Sequence, residues 1–472
     1  MAVLEQDPEG NGLIFFLKNN HYKSKHMKIE QFEDKHLSHY SYAILSECEK
    51  EIVLIDPSRN PAPYYQFAEK HEAKIVGVVE THPHADFVSS HLEIHQNIGA
   101  TIYCSKLNAP SYPFEPFDEG QTIVIGKITL SAMNTPGHSP DSISILLEHE
   151  GKQKALFSGD TLFIGDCGRP DLREGGGDAS AERNFLASQM YHSLRDKLMK
   201  LDDEVLLYPA HGAGTLCGKA LSEANSSTMG AEKMSNWSLQ EMSEADFVKA
   251  LTENQPFIPA YFAFDVDLNK KGASPFEASV EAVAVGHPGE NPAQEALIID
   301  TRKEEIFKAG HLKGSVNIMD GNKFETWLGS IIKPGEPYYI GAENANSLRR
   351  LIERTASIGY EAQLLMGFVS PQNQISDPLI NMGQFAANQQ EYTIVDVRNN
   401  SERAETKIFE NSLGIPLGEL RDRIAEIPLD KPIAVHCAGG YRSAAGSSLI
   451  ASAIDGRQKV YDIGEAIKDF QK

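Results

Sequence analysis

KIVGVVETHPHAD (residues 74–86) is an apolar run that terminates in two histidines and an aspartate. An unbroken apolar stretch of this length reads as a strand covered on both faces. HPHADFVSSHLEIHQNIG then opens a helix, and TIYCS (101–105) reads as the following strand. Strand, helix and strand in that order predict a layered α/β fold. Upstream, AILSECEKEIVLIDP (43–57) reads as a hairpin, two apolar runs around a charged turn.

Further strand ends carry the same residue types. His138 lies in NTPGHSPDS (134–142) after the strand-like KITLSAMN, Asp160 closes KALFSGD, and His211 ends VLLYPAH. Any one of these alone would read as a hydrogen-bonded loop residue. Open α/β layers place ligands at strand ends, so four such ends converging on one pocket predict a metal site. His82, His84, Asp86, His138, Asp160 and His211 are the candidate ligands.

The 472 residues predict several domains, and the 41 % apolar and 23 % charged composition fits a globular chain. A net charge of −22 argues against general nucleic-acid binding. Five scattered cysteines without a CxxC pair predict a reducing compartment. No N-terminal apolar stretch is long enough for a signal peptide or membrane span, so the cytoplasm is expected. The expected domains are an extension at 1–26, a metal domain at 27–255, a linker or domain edge at 256–290, and α/β units at 291–371 and 372–472. The last two read as a diverged repeat. IIDTR (298–302) parallels VDVR (395–398), and EPYYIGAENANSLRRLI (336–352) parallels KPIAVHCAGGYRSAAGSSLI (431–450).

Only the second copy has a cysteine in its loop. Cys437 stands between an apolar strand and a small-residue helix, followed by Ala438, Gly439, Gly440, Tyr441, Arg442 and Ser443. Such a loop turns backbone N–H groups toward an anion and lowers the thiol pKa. Arg442 would add bidentate contacts to an oxyanion. A phosphatase loop of the CxxxxxR type is one residue longer than the spacing from Cys437 to Arg442.

THPHAD, TPGHS, SGDTLF and YPAH resemble the metallo-β-lactamase superfamily, closest to its glyoxalase II and persulfide dioxygenase branch. The family motif HxHxDH lacks its last histidine here, where Phe87 stands. The resemblance implies an αββα sandwich and, without that histidine, one Fe(II) per chain held by His82, His138 and Asp160, with zinc as a substitute in a crystal and His84, Asp86 and His211 as hydrogen-bonding partners or extra ligands. Cys167 and Arg169 in the Cys-Gly-Arg triplet resemble residues near the iron in that branch; a plain buried thiol is the other reading of Cys167. The two C-terminal units resemble rhodanese domains, the first lacking its nucleophile. The order of the three resembles persulfide dioxygenase–sulfurtransferase fusions. It implies oxidation of a small persulfide by O2 to sulfite and thiol, exchange of sulfur between Cys437 and sulfite or thiosulfate, and a dimer or tetramer. Two rival readings stand beside it: a two-zinc, glyoxalase II-like thioesterase with an appended sulfurtransferase, and a sulfane-sulfur carrier or sensor whose metal domain is structural.

Overall fold

A computed structural model describes residues 27–172, 179–219, 221–222, 224–255, 257–287, 292, 296–371 and 375–471. The expected extension at 1–26 lies outside the described residues. Twelve strands build the first unit: β1 (Met27–Asp34), β2 (His39–Ser46), β3 (Glu51–Ile55), β4 (Lys74–Val79), β5 (Thr101–Cys104), β6 (Glu115–Pro116), β7 (Thr122–Ile125), β8 (Ile128–Asn134), β9 (Ile143–His149), β10 (Lys152–Gly159), β11 (Leu206–Pro209) and β12 (Ser227–Thr228). They form two six-stranded sheets, ordered β1-β2-β3-β4-β5-β6 and β12-β11-β10-β9-β8-β7.

Side-chain alternation explains the layering. Tyr42 and Ile44 of β2 and Val53 and Ile55 of β3 point between the sheets, toward Leu130, Ile145 and Phe157. Their neighbours Ala43, Leu45, Ile52 and Leu54 face outward onto Tyr64, Phe67 and Ile94 of the helices Ala62–Lys70 and His91–Ile98. Period-two alternation with both faces apolar needs a cover on each side. The second sheet is covered by Met190 and Phe247, from Ala179–His192 and Glu244–Thr252. The result is the expected αββα sandwich, with the 43–57 hairpin formed as β2 and β3.

The C-terminal units have the same skeleton. β13 (Leu297–Asp300), β14 (Ser315–Asn317), β15 (Tyr338–Ala342) and β16 (Leu364–Val369) stand in the order β14-β13-β15-β16, all parallel. β17 (Thr393–Asp396), β18 (Leu413–Gly414), β19 (Ile433–His436) and β20 (Val460–Asp462) repeat it as β18-β17-β19-β20. In each copy the Asp-x-Arg motif closes on itself. Arg302 pairs with Asp300 and reaches Gly310 O at 2.9 Å; Arg398 pairs with Asp396 and reaches Thr406 O at 2.9 Å. The motif therefore staples a strand end to the turn eight residues beyond the arginine.

The segment 256–290, expected as a linker or domain edge, carries the helices Tyr261–Lys271 and Phe276–Glu281. Their apolar residues Tyr261, Phe262, Val266, Phe276 and Val280 join one core that runs from Phe87 and Phe163 through both C-terminal units to Cys437. Buried apolar surface, not the Pro/Gly content of the segment, decides its structure. Arg59 extends the bond between units, donating to Ser274 O at 2.7 Å and pairing with Glu361 at 3.3 Å.

Candidate functional site

His82, His138 and Asp160 converge, their ligand-type atoms within 4.8 Å of one another and all buried. Each imidazole is set by a neighbour. Thr81 Oγ1 donates to Asp56 Oδ2 (2.8 Å), so at 3.0 Å from His82 Nδ1 it must accept, and His82 presents Nε2 unprotonated. His138 Nδ1 donates to Arg169 O at 2.9 Å, because a carbonyl only accepts, and its Nε2 also faces inward. These nitrogens lie 3.9 and 3.5 Å from Asp160 Oδ2. Burial holds the His138 pKa below its ordinary value despite Asp160, which keeps that ring neutral.

The donor set fits a cation. Both Asp160 oxygens are buried and accept no well-formed hydrogen bond, and lone pairs of neutral imidazoles face them. A buried carboxylate in that state is costly until a positive charge enters. The glycine of Cys-Gly-Arg permits the crowding: a Cβ on Gly168 would meet Asp160 O at 1.9 Å.

Of the surrounding residues, His84 turns away from this cluster. Its Nε2 lies 3.1 Å from Asp56 Oδ1 and 3.6 Å from Glu80 Oε2. Burial opposes protonation of His84, but those carboxylates raise its pKa to about 9. Phe87 stacks beside His39 and His84, with ring centroids 3.8 and 4.3 Å away. Asp86 and His211 form a second cluster with Cys217, again within 4.8 Å. His211 Nδ1 donates to Ser38 O, and its Nε2 faces Asp86 at 3.4 Å and Asp160 at 3.5 Å. The reading of Cys167 as an iron-site neighbour is corrected here. Its thiol packs in the apolar layer of Leu162, Leu194 and Leu198, where burial raises its pKa. The cysteine beside the carboxylates is Cys217, held near by Arg169 N donating to Cys217 O (3.0 Å). Arg169 itself is buried and turns its guanidinium to Asp171 at 2.6 Å.

Three participants escaped the sequence reading. Asp56 orients Thr81, accepting from its N and its hydroxyl. Asn269, from the helix 261–271, donates to the carbonyls of His84 and Phe87 (2.9 and 2.8 Å) and accepts from Ser89 N. Cys217 is the third. Asp56 had a legible signal, an aspartate ending an apolar run on the neighbouring strand; Asn269 and Cys217 had none.

Cys437 follows β19 and is 1 % exposed. Gly440 N donates to its Sγ at 3.1 Å. The helix Tyr441–Ile454 begins at Gly440 (φ 101°) with no side chain over its N-terminus. Ser443 Oγ closes on Gly440 O, Tyr441 Oη donates to Met319 O of the first copy, and Ala438 O accepts from Gln471; Gly439 is exposed. Arg442 is expected to add bidentate contacts to an oxyanion. Its Nη1 and Nη2 are bound to Glu402 at 2.6 and 2.7 Å. In the first copy the equivalent helix Ala345–Ala356 is closed by a capping box of Asn344 and Ser347.

Residues 36–211 match the metallo-β-lactamase superfamily, and 288–370 and 382–472 match the rhodanese-like domain. The mitochondrial persulfide dioxygenase ETHE1 of Mus musculus is 30 % identical over 184 residues, 39 % of this chain and 66 % of the relative. The cytoplasmic hydroxyacylglutathione hydrolase of Arabidopsis thaliana is 33 % identical over 175 residues, 36 % of this chain and 63 % of the relative. The chain thus spans just under two thirds of these relatives' lengths. A crystal structure of a metallo-β-lactamase from Staphylococcus aureus subsp. aureus COL is 30 % identical, with a TM-score of 0.66 over 74 % of this chain and 100 % of that one. Among the described residues no helix is long and apolar enough to cross a membrane.

Proposed function

Because the chain belongs to the metallo-β-lactamase superfamily and carries two rhodanese-like domains behind that fold, we propose that it is a persulfide dioxygenase joined to a sulfurtransferase. The observation that carries this reading is the triad itself: His82, His138 and Asp160 face one another while His84 is diverted to Asp56 and Glu80. A ferrous ion held by two histidines and one carboxylate, with open positions, supplies oxygen activation; zinc would be a substitute in the same seat. The chain's own residues do the positioning. Asp56 through Thr81, and the Arg169 carbonyl, fix the inward nitrogens of the ligands.

The net reaction at this centre is RSSH + O2 + H2O → RSH + SO3²⁻ + 2H⁺. At Cys437 the thiolate accepts a sulfane sulfur as Cys–S–SH and passes it to sulfite, giving thiosulfate. The Gly440 N–H and the uncapped helix start stabilise the returning thiolate. The first copy, with Gly341 and Ala342 ending its strand and Asn344 over its helix, has no nucleophile and serves as a structural module.

A second reading has one observation in its favour. Asp86, His211 and Cys217 cluster beside Asp160, which supports a second ion and thioester hydrolysis through a hydroxide held between two metals. The similarity to a hydroxyacylglutathione hydrolase points the same way. Metal analysis with an oxygen electrode separates the two. One iron per chain and O2 uptake with glutathione persulfide are expected; two zinc ions, thioester hydrolysis and no O2 uptake would overturn the dioxygenase reading.

A further inference from the structure

Three arginines of the domain that bears Cys437 each already face a carboxylate. Arg398 binds Asp396 through Nε and Nη2 at 3.0 and 2.7 Å. Arg403 Nε lies 3.6 Å from the same carboxylate. Arg442 is held bidentately by Glu402. Glu402 is no swinging surface group, because its Oε2 also accepts from Asn399 N at 3.0 Å, closing the capping box of the helix Asn400–Glu405. The Arg442 fork that an oxyanion would grip is therefore filled by an anchored carboxylate from the same domain.

On its other flank, Arg442 lines a cavity of about 480 Å³ to which all three units contribute. Leu216 comes from the metal domain, Trp327 from the first copy and Tyr441 from the second, with Phe257 stacked on Trp327 at 5.2 Å. Lys323 lies there too, but its ammonium donates to Gly214 O. Both cations of the cavity are thus engaged, and the remaining walls are uncharged, Leu216, Phe257, Trp327 and Tyr441 alternating with the neutral polar Asn322, Thr326 and Asn399. A thiosulfate dianion would have to displace Glu402 or lie beside a neutral ion pair. An organic persulfide carries its reactive sulfur on a carbon skeleton that such walls accept.

We propose that Glu402 sets the substrate preference of Cys437: by occupying Arg442 it makes thiosulfate a weakly held ligand and leaves an organic persulfide, seated in the interdomain cavity, as the sulfur donor. This rests on reading Cys437 as a sulfurtransferase nucleophile. In loading, the Cys437 thiolate attacks the outer sulfur of RSSH. The new Sγ–S bond forms as the donor S–S bond breaks, and the electron pair and proton leave with RSH. In discharge, sulfite attacks that outer sulfur, the Sγ–S bond breaks, and its electron pair returns to Sγ as thiosulfate departs. No oxidant or reductant is consumed. Glu402 is a positioning residue in this scheme. It leaves the equilibrium unchanged and raises the thiosulfate concentration at which the reverse reaction runs.

The test uses the full chain with Glu402→Gln, which retains the cap but not the charge, and Glu402→Asp, which retains the charge. Sulfur transfer to cyanide is measured against thiosulfate and against glutathione persulfide, with mass spectrometry of the Cys437 persulfide. In Glu402→Gln the KM for thiosulfate should fall about tenfold or more with little change in kcat, as one charge-assisted hydrogen-bond partner becomes available. Glu402→Asp should keep the wild-type preference. An unchanged thiosulfate KM in Glu402→Gln, or the same shift in both variants, overturns the proposal. If wild-type Cys437 takes sulfur from neither donor, the sulfurtransferase reading itself falls and the proposal with it.

Discussion

Two buried aspartates, Asp160 and Asp396, each stand where a strand ends, and the chain treats them oppositely. Asp396 takes hydrogen bonds from Arg398 N, Nε and Nη2 and has His436 Nε2 at 3.7 Å. Asp160 has inward-facing nitrogens of His82, His138 and His211 at 3.5 to 3.9 Å and no well-formed hydrogen bond on either oxygen. The C-terminal domain therefore neutralises its carboxylate from its own sequence. The metal domain leaves one to be neutralised from outside. The two carboxylates thus differ in completeness: one is neutralised by its own domain, and the other stands in a donor set that fits a cation.

That contrast breaks most sharply in activity. His138→Ala should abolish O2 uptake and leave Cys437 loading intact, and Cys437→Ser should do the reverse; loss of both functions in either variant would end the picture of two separate centres. Next comes stability, measured by urea unfolding of metal-free protein. Asp396→Asn should cost about 3 kcal/mol, because it strands a buried arginine. Asp160→Asn should cost under about 1 kcal/mol without metal, since it removes an unpaired buried charge. Equal costs would erase the distinction.

A pH series gives a smaller effect. Burial, offset in part by Asp396 and reinforced by Arg398 and Arg403, lowers the His436 pKa to about 4. The unfolded chain then binds a proton first as pH falls below about 6.5, so the native state weakens from there down to pH 4, by at most about 1.4 kcal/mol per unit. Burial alone would raise the Asp396 pKa, but the Arg398 hydrogen bonds hold it below the ordinary carboxylate value. Its stabilising contribution is present above the unfolded pKa and is lost lower still, as pH falls through the folded one. His436→Gln should flatten the upper part of this curve in a thermal melt. The smallest effect tests the two rhodanese-like copies. Asn344→Ala should cost about 1 kcal/mol of stability, the worth of a helix cap, and leave sulfur transfer unchanged.

Much of this was legible because it is local. The apolar runs at 74–79 and 205–209, the Asp-x-Arg motifs and the lone loop cysteine each carry their signal within about ten residues. The convergence of His82, His138 and Asp160 was legible because each stands just past a strand end. What escaped was set by packing. Glu402 is forty residues from Arg442, and nothing near Arg442 in the sequence announces that its fork is filled. Cys167 sits in the motif and Cys217 does not, yet the fold turns the first into an apolar layer and the second toward Asp160. Residues 256–290 read as a linker or domain edge, while Tyr261, Phe262, Val266, Phe276 and Val280 bury into the shared core.

Asn269 has a consequence for how the molecule can be divided. It lies past residue 211, where the superfamily match ends, yet its amide fastens the carbonyls of His84 and Phe87 from 185 and 182 residues away. The helix that bears it is itself seated through Tyr261 against Gly329 of the neighbouring unit. A recombination breakpoint at the edge of the recognisable domain would deliver every ligand and leave their loop unbuckled. The smallest inheritable module for this metal chemistry is thus longer than its motifs, and it includes a piece of chain whose own sequence advertises nothing but a hinge.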